Sequence, residues 1–198
     1  MHNSSYESMG KFKNEWLPKE PGKVLEIGSK DINGSYREIF KGWDYTGLDV
    51  VSGPCVDYVP SDPYDWKELA SDSFDSVISG QTFEHIEFPD RTMAEIKRVL
   101  KPSGVAIIIV PSEGRKHERP DYRRYKWKDL RDLVLNNGFE VVKIWGNYEA
   151  PWFDSVAVFK KKVEEVPVQE SSKEVEEETS QDEKRGKQTK KKVTDVET

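Results

Sequence analysis

A chain of 198 residues, 35% hydrophobic and 34% charged, suffices for one ordinary domain but is too polar on average to be packed uniformly. All 22 aromatic residues precede Lys160, whereas residues 161–198 hold none and carry 9 Lys/Arg and 11 Asp/Glu. The formal charge of −6 excludes wholesale attraction to nucleic acid or anionic lipid, and one cysteine with three histidines excludes a disulfide framework or a multi-histidine metal centre.

The first element is a helix over Ser4–Leu17, with Tyr6, Met9, Phe12 and Trp16 at helical spacing and Pro18 and Pro21 to stop it. Lys11, Lys13, Glu15 and Lys19 stand where a secretion signal needs an apolar stretch. Residues 1–20 therefore read as a helical extension on a soluble, cytoplasmic protein, and residues 21–160 as its main domain. Lys23–Gly28 is a compact apolar run, read as a buried strand, followed by the polar loop Ser29–Gly34 and a helix over Ser35–Lys41. Tyr45–Val50 reads as a second strand and Cys55–Val59 as a weaker third. Only Val51–Pro54 joins them, so the usual crossover helix is missing and this edge of the sheet is truncated or irregular. Asp62–Leu69 fits one or two helical turns, and Phe74–Gly80 the next strand. Asp90–Leu100 has Met93, Ile96, Val99 and Leu100 at helical spacing, with Pro102 and Gly104 to end it.

Val105–Val110 is the longest apolar run, far short of the roughly 20 residues that span a bilayer. Its β-branched composition suits a central strand buried on both faces. A helix near Trp127–Asn136 precedes two closing strands, Phe139–Trp145 and Trp152–Phe159, which Gly146–Pro151 is too short to join except as an antiparallel hairpin. Residues 161–198 cannot bury enough apolar surface to offset chain entropy and read as a disordered tail. Its acidic block (Glu174–Glu183) and basic block (Lys184–Lys192) fit either a solvated spacer or a segment that binds a protein partner.

Alternating strands and helices predict an α/β fold with a mainly parallel sheet covered on both faces. Such a sheet binds its ligand beyond the carboxyl ends of its strands. The first strand delivers Glu26 and Gly28 to that edge, and Asp49 follows 21 residues after Gly28, where an acid reaches the two hydroxyls of a ribose. Taken alone, the pair fits equally a packed turn and a surface aspartate.

The runs VLEIGS (Val24–Ser29), LDV (Leu48–Val50), SFDSVISGQTFEHI (Ser73–Ile86), EIKRVLKPSGVAIIIVPSEG (Glu95–Gly114) and NNGFEVV (Asn136–Val142) resemble, in that order, the class I S-adenosylmethionine-dependent methyltransferases of the type 11 branch. The resemblance implies a Rossmann-like sheet of seven strands, mostly parallel with the last strand reversed, and S-adenosylmethionine as cofactor. It further implies Glu26, Gly28 and Ser29 beside the methionine part, and Asp49 with Val50 at the ribose. Asp62 would accept from the adenine amino group, with Tyr64 or Trp66 against the ring, although both aromatics also fit as packing. Gly80 and Gln81 would lie beside the methionine carboxylate or the transferable methyl. In the loop GSKDING the family's second glycine is replaced by Lys30, and glycine returns only at Gly34. A lysine fits there with a negative φ; a positive one costs about 1 kcal/mol.

Methyl transfer from a sulfonium is an in-line displacement in which the cofactor supplies the electrophile. The protein mainly aligns the nucleophile, and an oxygen or carbon acceptor still benefits from a general base. His85 is placed for that role, or for holding a helix start. The segment Gly114–Lys128 is rich in Lys and Arg, interleaved with His117, Tyr122, Tyr125 and Trp127, and resembles a pattern found after the fifth strand in type 11 relatives. It reads either as a substrate lid, with His117, Tyr122 and Arg124 its contacts, or as a solvated loop feeding a helix. The expected activity is methylation, with oxygen favoured, of a small-molecule, glycan or lipid-type acceptor. The alternatives are a non-catalytic scaffold and an RNA methyltransferase using the 115–128 loop. DNA amino-methylating enzymes carry Asn/Asp-Pro-Pro-aromatic where this chain reads SGQTF, and the pair Pro54–Cys55 lies in the wrong part of the sheet for cytosine-C5 chemistry.

Overall fold

The computed structural model describes residues 3–116, 120–146 and 153–162. The elements run α1 (Asn3–Trp16), β1 (Lys23–Ile27), β2 (Asp44–Leu48), β3 (Phe74–Gly80), a 3₁₀ turn (Phe83–His85), α2 (Pro89–Val99), β4 (Leu100–Pro111), α3 (Trp127–Asn136), β5 (Phe139–Gly146) and β6 (Asp154–Lys161). Among the described residues the strands form one six-stranded sheet in the order β2-β1-β3-β4-β6-β5. β2, β1, β3 and β4 are parallel, while β6 is antiparallel to both β4 and β5. The segment 147–152, with Trp152, and the tail beyond Lys162 lie outside the described residues.

The β-strand period of two divides the core between the two faces. On β4, Ala106, Ile108 and Val110 join Met93, Ile96 and Val99 of α2 and Leu130 and Val134 of α3. Ile107 and Ile109 join Met9 and Phe12 of α1 on the other face. β6 alternates likewise, Val156 and Val158 against Ala157 and Phe159. Burying both faces is what the unbroken apolar runs of β4 and β6 are for, and among the described residues no helix is long and apolar enough to cross a membrane.

Four expectations differ from the described residues. The sheet has six strands here instead of seven: across Cys55–Val59 only Tyr58 makes an isolated bridge to Leu48. Pro54 and Pro60 have no N–H to give a ladder, Cys55 adopts a positive φ, and the Asp57 carboxylate takes the Gly47 N–H that a strand partner would use. Ser35–Lys41 is a run of overlapping turns, not a regular helix, closed mostly by i→i+3 bonds such as Ile39 N–H to Tyr36 O at 2.9 Å. Tyr36, Phe40 and Trp43 are all buried from it. Asp62–Leu69 is likewise a pair of turns. Pro102 and Gly104 lie inside the irregular start of β4, which begins directly where α2 ends.

Candidate active site

Past the carboxyl ends of β1, β2 and β3 opens a cavity of about 470 Å³, within the range of small-ligand sites. Its floor is the loop after β1. The N–H groups of Gly28 and Ser29 both donate to Leu48 O, at 2.8 and 3.0 Å, which binds the loop to the end of β2. Gly28 has φ +77°, and a side chain there would overlap Thr82, so glycine is required twice over. Lys30 is not among the positive-φ residues; the left-handed positions fall on Gly28 and Gly34, so the lysine sits in the loop without strain.

Lys30 N–H donates to Asp49 Oδ2 at 3.1 Å and Val51 N–H to Oδ1 at 3.2 Å, so two backbone amides hold the carboxylate on the cavity wall. Each oxygen keeps a lone pair for a further donor. Val50 lines the rim and is exposed. Glu26, from the buried end of β1, also lines the cavity. Loss of water pushes its carboxyl up to about 7, against the opposing pull of the Tyr45 hydroxyl that donates to Oε2 and of the Arg37 charge. Among the described residues Ser29 Oγ is buried without a hydrogen-bond partner, on a residue that lines the cavity.

Gly80 and Gln81 close the β3 side; a Cβ at Gly80 would collide with the buried Tyr36, and Gln81 has φ +57°. Tyr64 and Trp66 both line the cavity. Trp66 is a core residue, with Nε1 donating to Pro63 O at 3.0 Å, whereas Tyr64 is held edge-on by Phe88 and under the Arg91 guanidinium. Asp62 is not among the lining residues: it accepts from Tyr64 N–H and pairs with Arg91 at 3.5 Å.

His85 ends the 3₁₀ turn and lines the opposite wall with Tyr122. Its Nδ1 meets the Pro120 carbonyl, and Nε2 lies 3.7 Å from Oε1 of Glu84, a fully buried acid whose two oxygens lack a hydrogen-bond partner among the described residues. Burial pushes the Glu84 carboxyl up to about 7. Arg124 does not line the cavity. Its guanidinium pairs with the buried Asp121 and donates to the carbonyls of Arg115 and Arg123. Lys116 and Arg123 likewise donate to the carbonyls of Tyr122 and Glu87, so these cations tie the loop down. His117 lies outside the described residues. Sequence reasoning missed Tyr36, Thr82, Glu87, Thr92 and Pro120 in the lining; Thr82 and Glu87 flank the FEHI run and were within reach, while the others carry no motif.

The family model described as a methyltransferase domain matches residues 25–108, the stretch that holds the glycine loop, Asp49 and the β3 end. No curated protein matches the chain. Among solved structures it is similar to 1,6-didemethyltoxoflavin-N1-methyltransferase of Burkholderia thailandensis, solved with 1,6-didemethyltoxoflavin and S-adenosylhomocysteine, at TM-score 0.67 and 18% identity over 81% of this chain and 79% of that one. A SAM-dependent methyltransferase of Aquifex aeolicus gives TM-score 0.60 and 18% identity over 80% and 98%. The cyclase SpnF gives TM-score 0.62 and 14% identity over 79% and 82%.

Proposed function

We propose that the chain carries a class I, Rossmann-like, S-adenosylmethionine-dependent methyltransferase domain, as its likeness to the methyltransferase family model over residues 25–108 and to solved methyltransferases supports, and that it methylates a small-molecule, glycan or lipid-type acceptor, with oxygen the favoured nucleophile. The carrying observation is the cavity at the strand ends, where an acid held by two amides and a glycine loop share one wall. The donor set suits the cofactor: Ser29 Oγ is a buried polar atom awaiting a partner, and the Asp49 carboxylate has acceptor capacity for a diol. When bound, S-adenosylmethionine supplies the electrophilic methyl.

In this reading Glu26 and the Gly28–Ser29 backbone hold the methionine half, with Gly34 letting the loop turn back. Asp49 and Val50 take the ribose. Tyr64 lies against the adenine, and Asp62 acts by closing the turn that carries Tyr64. Gly80 and Gln81 lie beside the methionine carboxylate or the transferable methyl. His85 takes the acceptor's proton at Nε2, since Nδ1 is engaged by the Pro120 carbonyl, and Tyr122 contacts the acceptor on a loop that Arg124 holds in place. His117 belongs to the same segment. Lys116, Arg123 and Arg124 are engaged by backbone carbonyls and Asp121, which speaks against an RNA track along residues 115–128.

Since a cyclase shares the fold, methyl transfer itself is what must be measured. Calorimetry with S-adenosylmethionine should give binding, with NAD none, and Asp49→Ala should weaken the former by about 100-fold, the loss of two hydrogen bonds to a charged group. Binding of NAD alone would overturn the assignment, and binding of neither would favour a scaffold. Transfer of tritiated methyl to glycan, lipid or small-molecule fractions is expected; counts confined to nucleic acid would remove the acceptor class.

A further inference from the structure

Gln81 holds a left-handed backbone at φ +57°, which a residue with a side chain keeps only with local support. Two bonds supply it: the Gln81 N–H donates to Ile109 O at 2.8 Å, and Nε2 donates to Asp154 Oδ1 at 2.8 Å. Asp154 opens β6, far away in sequence, and is only 2% exposed. Its other oxygen takes the Ser4 hydroxyl, at 2.9 Å, from the first turn of α1. A carboxylate only accepts, so the amide must turn its nitrogen toward Asp154. That leaves Oε1 as the atom Gln81 can offer to the cavity it lines, and among the described residues no group donates to Oε1. β1 and β3 are adjacent, with Ile27 opposite Ser79, so Glu26 presents a second acceptor to the same cavity from the neighbouring strand.

We propose that Asp154 is a positioning residue: it holds the Gln81 amide so that Oε1, together with the Glu26 carboxyl, receives the α-ammonium group of the methionine half of the cofactor. The inference rests on the S-adenosylmethionine reading. An ammonium donates and never accepts, so a reversed amide would confront it with a second donor.

The test is calorimetry of the full chain with S-adenosylhomocysteine and with the same thioether lacking its α-amino group. Wild type should prefer the amino ligand by roughly tenfold or more, the worth of a hydrogen bond to a charged group. Asp154→Leu, which removes the acceptor of Nε2 and frees the Gln81 amide to rotate, should cut that preference to about threefold or less while leaving the deaminated ligand's affinity unchanged. Gln81→Leu should behave alike, and Ser4→Ala, which spares the Nε2 contact, should keep the wild-type preference. An undiminished preference in Asp154→Leu, or an equal loss for both ligands in both variants, overturns the proposal. If wild type binds both ligands equally, the ammonium assignment alone falls. If wild type binds neither, the cofactor reading fails and takes this inference with it.

Discussion

Two regions of the molecule bury a glutamate, and the contrast shows what burial does not say. Glu26 at the end of β1 and Glu84 in the 3₁₀ turn are both shut off from water, and in both the carboxyl is pushed to about 7 for that reason. Glu26 has a hydroxyl donor in Tyr45 and lines the cavity. Among the described residues Glu84 has no hydrogen-bond donor on either oxygen, is not part of the lining, and faces His85 and the Asp121–Arg124 pair. A displaced carboxyl is therefore no signature of a ligand site by itself. The first region is open toward a ligand that can bring a cation; the second is internal, and its Arg124 is engaged by another acid, Asp121.

Removing that cation gives the largest effect. Arg124→Ala leaves Asp121 and Glu84 buried together without the guanidinium, and urea unfolding should show a loss of about 3–5 kcal/mol. Asp49→Ala, at the solvent-facing cavity wall, should lose only about 1 kcal/mol. Equal losses would erase the distinction between the two regions.

A smaller effect comes from Glu84 itself. Its carboxyl is raised from 4.5 to about 7, so the folded chain keeps a proton that the unfolded chain releases across that window. Stability thus falls as pH climbs from 4.5 to 7 and stays lowered above it. Glu84→Gln removes the ionisation and should unfold at higher urea than wild type near pH 8, by about 2 kcal/mol, with no such gain near pH 4. A gain that does not depend on pH would show that the glutamate's charge is not what the fold resists.

The parts of the molecule that follow from local pattern were legible. Val105–Val110 and the strand ending at Phe159 show buried β runs directly, α2 declares itself by Met93, Ile96 and Val99, and the glycine loop with Asp49 places one wall of the cavity. What escaped depends on partners remote in sequence. Tyr36, Phe40 and Trp43 have near-helical spacing, yet packing three large rings closes the chain into turns. Arg124 counts as a free cation in a basic run until Asp121 is seen to hold it. Asp62 stands in an acidic stretch, and only the fold shows Arg91 drawing it away from the cavity. Asp154 belongs to no motif; its meaning arises where β6 meets Gln81 and Ser4.

The finest test of the comparison asks whether Glu26, unlike Glu84, answers to a ligand. An ammonium is best received by the ionised carboxyl, and without an ammonium beside it that carboxyl holds its proton up to about 7. Binding of S-adenosylhomocysteine should therefore weaken as pH falls below 7, by up to about tenfold per pH unit, because the carboxyl must first lose a proton. Calorimetry in buffers of different ionisation enthalpy should register that proton's release below pH 7 and its absence near pH 8. Glu26→Gln should bind more weakly than wild type near pH 8 and show a flat profile between pH 6 and 8, whereas Glu84→Gln should retain the wild-type slope. If Glu84→Gln flattens the profile and Glu26→Gln does not, the acid that senses the ligand is the internal one, and the assignment of the two regions is reversed.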